Sequence, residues 1–135
     1  MTESNIVVDT DAVSFLFRGD SRCQFYLPYV LKHRSVISFM TVAELQRWGL
    51  ASGWGDRKKL QLEMRLRRYD IQHSTPDLCE LWAEITDEAK RNGKPIAVGD
   101  AWIAATAILL DVPLITNNAS DFHGVSGLTI ITETI

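Results

Sequence analysis
NIVVDTDAVSFLFRG, residues 5–19, holds the change of pattern that decides the fold. Residues 5–8 are a short β-rich apolar run, and Asp11 then offers a side-chain oxygen to cap a helix that carries Phe15 and Leu16 and stops at Gly19. A strand feeds a helix. The unit repeats further on, where residues 35–39 read as a strand and Thr41 as the cap of a helix whose first turn holds Glu44 and whose apolar face includes Val42 and Leu45. Between the two units, residues 25–32 read as a helix that starts or bends at Pro28.

Residues 60–66 alternate apolar and polar, which on period alone suggests a strand. Their composition overrides that period, because Lys, Leu, Gln, Glu, Met and Arg are good helix formers and no β-branched residue occurs among them. The expectation is a helix with apolar residues on two sides. Residues 69–73 suggest a short strand, and Pro76 suits the first turn of a helix with Leu78, Leu81, Trp82, Ile85 and Ala89 at helical spacing, closed by Asn92 and Gly93. An all-apolar helix opened by Asp100 follows Pro95, then a strand over 112–115, a polar turn and a last strand over 128–132. Strands alternating with helices predict right-handed crossovers and a mostly parallel sheet covered on both faces, a three-layer α/β/α sandwich of the α/β class.

The 135 residues are 46% hydrophobic, which suits one domain, 1–135, with a substantial core. The longest apolar stretch, 101–110, lies between Asp100 and Asp111 and is too short to span a bilayer, so no membrane role is expected. The N-terminus lacks a secretory pattern, and a cytoplasmic location is the expectation. Cys23 and Cys79 have no paired-ligand spacing and read as small buried side chains, so zinc is not expected. A formal net charge of −3 argues against nucleic-acid binding by overall attraction. The basic residues are nevertheless uneven, since seven of the fourteen fall within 47–68. Among them, Arg57, Lys58, Lys59, Arg65 and Arg68 are candidate RNA contacts, with a solvated, ion-paired helix face as the plainer alternative. Trp82 and Trp102 lie on expected core helices. Trp54 reads as a packing residue, with stacking on an exposed base as its alternative.

In open α/β sheets the working site lies at the carboxyl ends of the strands. Asp9 ends the first strand, Glu44 follows the second, Asp100 opens the buried helix and Asp121 follows the strand ending near Thr116, so four carboxylates are expected on one edge. Two ionised carboxylates about 4 Å apart repel by roughly 4 kcal/mol at an effective dielectric of 20. Something positive must sit among them. With oxygen ligands and no His or Cys at ligand spacing, the expected ion is Mg²⁺ or Mn²⁺, which lowers the pKa of a bound water and steadies charge on phosphate oxygens. Phosphodiester hydrolysis is the natural output. Each acid also has a plain local role: Asp9 as a turn or cap, Glu44 answering a helix dipole, Asp100 as a cap and Asp121 in a polar turn. Asn118 is the alternative occupant of the fourth position.

These residues resemble the PIN-domain ribonucleases, and within them the VapC toxins of bacterial toxin–antitoxin pairs. The likeness is carried by Ile6-Val7-Val8-Asp9-Thr10, by Ser38-Phe39-Met40-Thr41-Val42-Ala43-Glu44-Leu45, by Asp100-Ala101-Trp102-Ile103-Ala104-Ala105-Thr106-Ala107, and by Leu114-Ile115-Thr116-Asn117-Asn118 with Asp121-Phe122 after it. The resemblance implies an Mg²⁺- or Mn²⁺-dependent endoribonuclease acting on structured RNA, usually transfer or ribosomal RNA, with a small antitoxin as partner. It implies Asp9, Glu44 and Asp100 as the core metal-binding acids and Thr10 and Thr116 as supporting hydroxyls. Relatives place an acid either where this chain has Asn118 or where it has Asp121. PIN toxins commonly form homodimers, and the two-sided helix over 57–68 suits that or antitoxin docking.

Two rival readings share much of this pattern. Val7-Val8-Asp9-Thr10-Asp11-Ala12-Val13 fits the nucleophile motif of a haloacid-dehalogenase-type phosphatase, echoed by Lys94 and Gly99-Asp100. That family wants another acid soon after Asp100, where Ile103, Ala104 and Ala105 stand, and it leaves Glu44 without a role. A catalytically inactive α/β binding module keeps the fold and predicts no metal.

Overall fold
The computed structural model describes residues 4–134. Val7 and Val8 are adjacent and both fully buried. Neighbouring residues of an extended strand point to opposite faces, so burial of both requires a packed layer on each side. The strands are β1 (Asn5–Val8), β2 (Arg34–Ser38), β3 (Asp70–Gln72), β4 (Leu114–Ile115) and β5 (Ile130–Ile131). They form one sheet in the order β3-β2-β1-β4-β5, every neighbouring pair parallel, with β1 in the middle.

The helices are α1 (Thr10–Arg18), α2 (Cys23–Lys32), α3 (Phe39–Ala51), α4 (Asp56–Leu66), α5 (Pro76–Arg91) and α6 (Val98–Leu110), with a 3₁₀ turn at Ala119–Phe122. On one face Ile6, Val8, Ile37 and Ile115 pack against side chains of α1 to α4, including Phe15, Tyr26, Leu45 and Leu62. On the other face Val7, Val36 and Leu114 meet α5 and α6 through Leu78, Ile85 and the alanines of α6. The expected α/β/α sandwich is the observed architecture. None of its helices among the described residues is long and apolar enough to cross a membrane.

Local physics shifts several boundaries. Helix α1 starts two residues earlier than expected because Asp9, not Asp11, caps it, accepting the Thr10 N–H. Ser38 caps α3 through the Met40 N–H, so Phe39 belongs to the helix, Thr41 is buried inside it, and Glu44 sits in its second turn rather than its first. Helix α6 begins at Val98, and Asp100 lies within its first turn without capping it. Pro28 lies inside α2, one turn in, where the buried Tyr26 beside it anchors the segment. Strands β4 and β5 are shorter than expected, and the polar turn between them contains the 3₁₀ turn. Helix α4 follows its composition: Leu62 and Leu66 face the core while Leu60 and Met64 are exposed. Cys79 is exposed, not buried, because it follows Leu78 on the outward side of α5.

The strand order reverses between β1 and β4, and a crevice opens outside the carboxyl ends of strands at such a point. The two ends are stitched together there: the Asp9 N–H donates to the Ile115 carbonyl at 2.8 Å.

Candidate active site
Asp9 follows the last residue of β1 and is 5% exposed. One of its oxygens accepts the Thr10 N–H and the other the Thr116 hydroxyl, each at 2.7 Å. Thr116, directly after β4, is itself fully buried and also accepts the Asn118 N–H at 3.0 Å. This pair joins positions 107 residues apart across the reversal of strand order. From the other side, the Thr10 hydroxyl lies 2.7 Å from Glu44 Oε1, to which it donates, and 3.0 Å from the Thr41 hydroxyl. Helix α3 therefore delivers Glu44 to the start of α1. Gly99 makes room for it, since a Cβ there would stand 3.0 Å from Glu44 Oε2.

Asp9, Thr10, Glu44, Asp100, Asn118 and Asp121 all line one cleft of about 400 Å³. The structure thus brings together every expected acid, with Thr116 beneath the floor. The lining also includes Ser14, Arg18, Trp48 and Asp11, the last expected only as a helix cap, none of which was expected in the cluster of acids. Asp11, in the first turn of α1, accepts the N–H of Ala12 at 2.6 Å and, through its other oxygen, the N–H of Asn117 and the amide of Asn118, both at 3.0 Å. The signal for it was the polar spacing of Asp11, Ser14 and Arg18, which marks one helical stripe once the helix starts at Thr10.

The electrostatics follow from five carboxylates sharing that space. Burial raises the Asp9 carboxyl well above its ordinary range, reinforced by Asp11 and Asp100 and opposed by the Thr116 and Thr10 hydrogen bonds. Burial also raises Asp11, against the N–H groups of Ala12 and Asn117. Asp100 is pushed up to about 6, first by burial and then by Asp121, Glu44 and Asp11. The one cation of the lining, Arg18, lies 3.6 Å from Asp20 and 5.6 Å from the Trp48 ring, so part of its charge is spent outside the acid cluster. Among the described residues no three acids, histidines or cysteines converge tightly enough to enclose an ion as they stand. Their lone pairs are partly taken by Thr10, Thr116 and the backbone. The donor chemistry nevertheless fits a hard divalent cation, since each carboxylate keeps acceptor sites beyond those bonds and Arg18 and Arg22 offset their mutual repulsion only in part.

The family model described as PIN domain matches residues 6–128. The chain belongs to the PIN domain family. Ribonuclease VapC1 of Haemophilus influenzae strain R2866 is 27% identical to this PIN domain over 127 residues, 90% of this chain and 92% of that protein. The solved structure of VapBC-1 from nontypeable Haemophilus influenzae superposes with a TM-score of 0.83 at 25% identity, covering 95% of this chain and 97% of that one. A toxin–antitoxin complex from Klebsiella pneumoniae matches at 26% identity with a TM-score of 0.76, covering 96% and 99% of the two chains.

The basic residues expected to touch RNA do not line the cleft of this PIN domain. Arg57, Arg65 and Arg68 border a separate groove with Phe17, Leu60 and Met64, and Lys59 borders another with Leu50 and Trp54. Lys58 lies 4.4 Å over the Trp54 ring. Trp54 packs against Gly49, where a Cβ would come within 3.1 Å of the ring, so its packing reading holds. Trp82 and Trp102 stack on each other at 5.2 Å, half-buried rather than deep in the core.

Tyr26 supports the cleft from behind. Fully buried on α2, its hydroxyl lies 2.6 Å from Asn117 Oδ1 and accepts the Glu133 N–H at 3.2 Å. Tyr26→Phe leaves both partners without it and is expected to cost about 1–3 kcal/mol. Urea unfolding checks this by a lower midpoint at an unchanged slope.

Proposed function
We propose that this PIN domain, read as one nuclease domain over 1–135, is an endoribonuclease that hydrolyses phosphodiester bonds in structured RNA. In this reading Asp9, Glu44, Asp100 and Asp121 hold Mg²⁺ or Mn²⁺, Asn118 being the alternative to Asp121. The observation that carries it is the gathering of five carboxylates, three with raised pKa, in one cleft at the strand-order reversal. A bound ion supplies an acidified water and charge stabilisation at the phosphate oxygens. Thr116 and the Thr10 N–H orient Asp9, the Thr10 hydroxyl orients Glu44, and Asp11 positions the 117–118 turn. Membership of the PIN family supports a nuclease over the phosphatase reading, which leaves Glu44 without a role. The ribonuclease name of the Haemophilus influenzae relative supports the reaction. The Klebsiella pneumoniae complex supports the role of toxin with a cognate antitoxin. A cytoplasmic location and a homodimer belong to the same reading.

The test is incubation of total cellular RNA with purified protein, with EDTA, Mg²⁺ or Mn²⁺, followed by end mapping. Discrete metal-dependent cuts are expected. Absence of cuts with either metal, together with turnover of a phosphomonoester through an acid-labile phosphoenzyme, would return the phosphatase reading.

A further inference from the structure
A second cleft, of about 640 Å³, opens on the other side of Asp100 and Asp121, which line it as well. The two depressions share those acids in their linings. Their chemistry differs. The first is dominated by carboxylates, whereas the second adds the ammonium of Lys94, the ring of His123 and the hydroxyl of Ser120. Among the described residues, the exposed side chains of Lys94 and His123 have no ion pair and no hydrogen bond.

The backbone carrying these groups is tied down. Lys94 lies just beyond α5 and His123 just beyond the 3₁₀ turn. The Asn92 side chain donates to the Gly124 carbonyl at 3.0 Å, and the Ser126 N–H and hydroxyl both donate to the Glu88 carboxylate at 2.7 Å. Gly124 is buried so closely against the first loop that a Cβ would overlap the Lys94 carbonyl. Two loops far apart in sequence are thus held side by side, presenting an uncommitted cation and two hydrogen-bonding side chains to one space. Such pre-ordering lowers the cost of binding.

A strand of RNA drawn over five carboxylates is repelled unless cations flank its path. Arg18 lines only the first cleft and Lys94 only the second, with Asp100 and Asp121 common to both. We propose that the second cleft is a phosphate subsite for the RNA chain beyond the cleaved bond, in which Lys94 supplies charge and His123 and Ser120 supply hydrogen bonds to phosphate oxygens. This rests on the nuclease reading. The subsite sets where the substrate lies over the acids and carries no base preference, as phosphate contacts position a nucleic acid without reading it.

The test uses the full chain with Asp9→Asn, so that RNA is bound without being cut, and a fluorescent single-stranded RNA titrated across a range of KCl. Adding Lys94→Ala and His123→Ala is expected to weaken binding about tenfold and to reduce the slope of log affinity against log salt by about 0.7 per lost phosphate contact. Lys94→Arg restores most of the salt slope. Unchanged affinity and slope with RNA still cut by the wild type overturn the subsite alone, whereas RNA neither bound nor cut overturns the nuclease reading with it. Normal RNA binding with lost capture of the cognate protein partner assigns the cleft to that partner and also overturns the proposal. Thermal melting of the same variants checks that the fold is intact.

Discussion

Asp9→Asn is expected to reduce metal-dependent RNA cleavage by about a thousandfold or more while leaving the metal-free protein at least as stable. The substitution keeps the shape of a side chain that is 5% exposed and bonded at both oxygens. It removes the charge and one acceptor: the amide oxygen can still take the Thr10 N–H, and the Thr116 hydroxyl must turn to accept from the new NH₂. A divalent ion contributes several kcal/mol of stabilisation to a phosphoryl transition state, about tenfold in rate for each 1.4 kcal/mol, so loss of a central ligand accounts for that factor. Stability should not suffer, because burial already penalises the ionised form of Asp9. Single-turnover cleavage and thermal melting, measured on one preparation, separate the two effects. Cleavage at the wild-type rate would remove Asp9, and with it the cluster, from the reaction.

The second large effect is a linkage between metal, pH and stability. Asp9, Asp11 and Asp100 are all raised in the folded protein, Asp100 to about 6. A carboxyl with a raised folded pKa binds more protons folded than unfolded, so its stabilising contribution is complete below the unfolded value near 4 and is lost as pH rises through the folded one. The metal-free protein is therefore expected to melt progressively lower as pH rises from about 4 to 6 and above. Half-buried acids with lowered values, Asp20 beside Arg22 and Glu88 beside Ser126, act in the opposite sense but at more acidic pH. Asp100→Asn isolates the effect of one group: it should raise the metal-free Tm at pH 7 by a few degrees, its partial exposure tempering the gain. Mg²⁺ or Mn²⁺ at a hundred times its Kd should stabilise the wild type by about 2.7 kcal/mol, roughly 10 °C in a chain of this size. The same ion should do little for Asp100→Asn. Calorimetry over pH with and without metal reads all of these at once, and a wild-type Tm indifferent to both ions would speak against a cation site in this cleft.

Much of this molecule is legible in local sequence because the determining forces are local. The run at 5–8 has no polar alternation since β1 is covered on both faces, and a central parallel strand can be recognised by that alone. Helix α4 is legible from propensity against its misleading period, and α5 from Pro76 and its apolar spacing. Asp9 and Asp100 are legible as site candidates because one directly follows a strand and the other lies in the first turn of a helix, and Glu44 because it lies early in the helix that follows the second strand. The tertiary structure decided the rest. Which strands are neighbours is a matter of sheet order, and only the placement of β1 beside β4 lets Thr116 reach Asp9. Cap competition placed Asp11 in the cleft instead of beneath it, since Asp9 took the cap through a single N–H contact. The basic stretch is visible as composition, but the turn of α4 directs Arg57, Arg65 and Arg68 to another groove, while Lys94 and His123, isolated in sequence, share a cleft through the tie between Asn92 and Gly124. Periodicity and propensity act within a few residues of chain and so can be read along it. A cleft is assembled from residues a hundred positions apart, and their meeting depends on packing that no short segment contains.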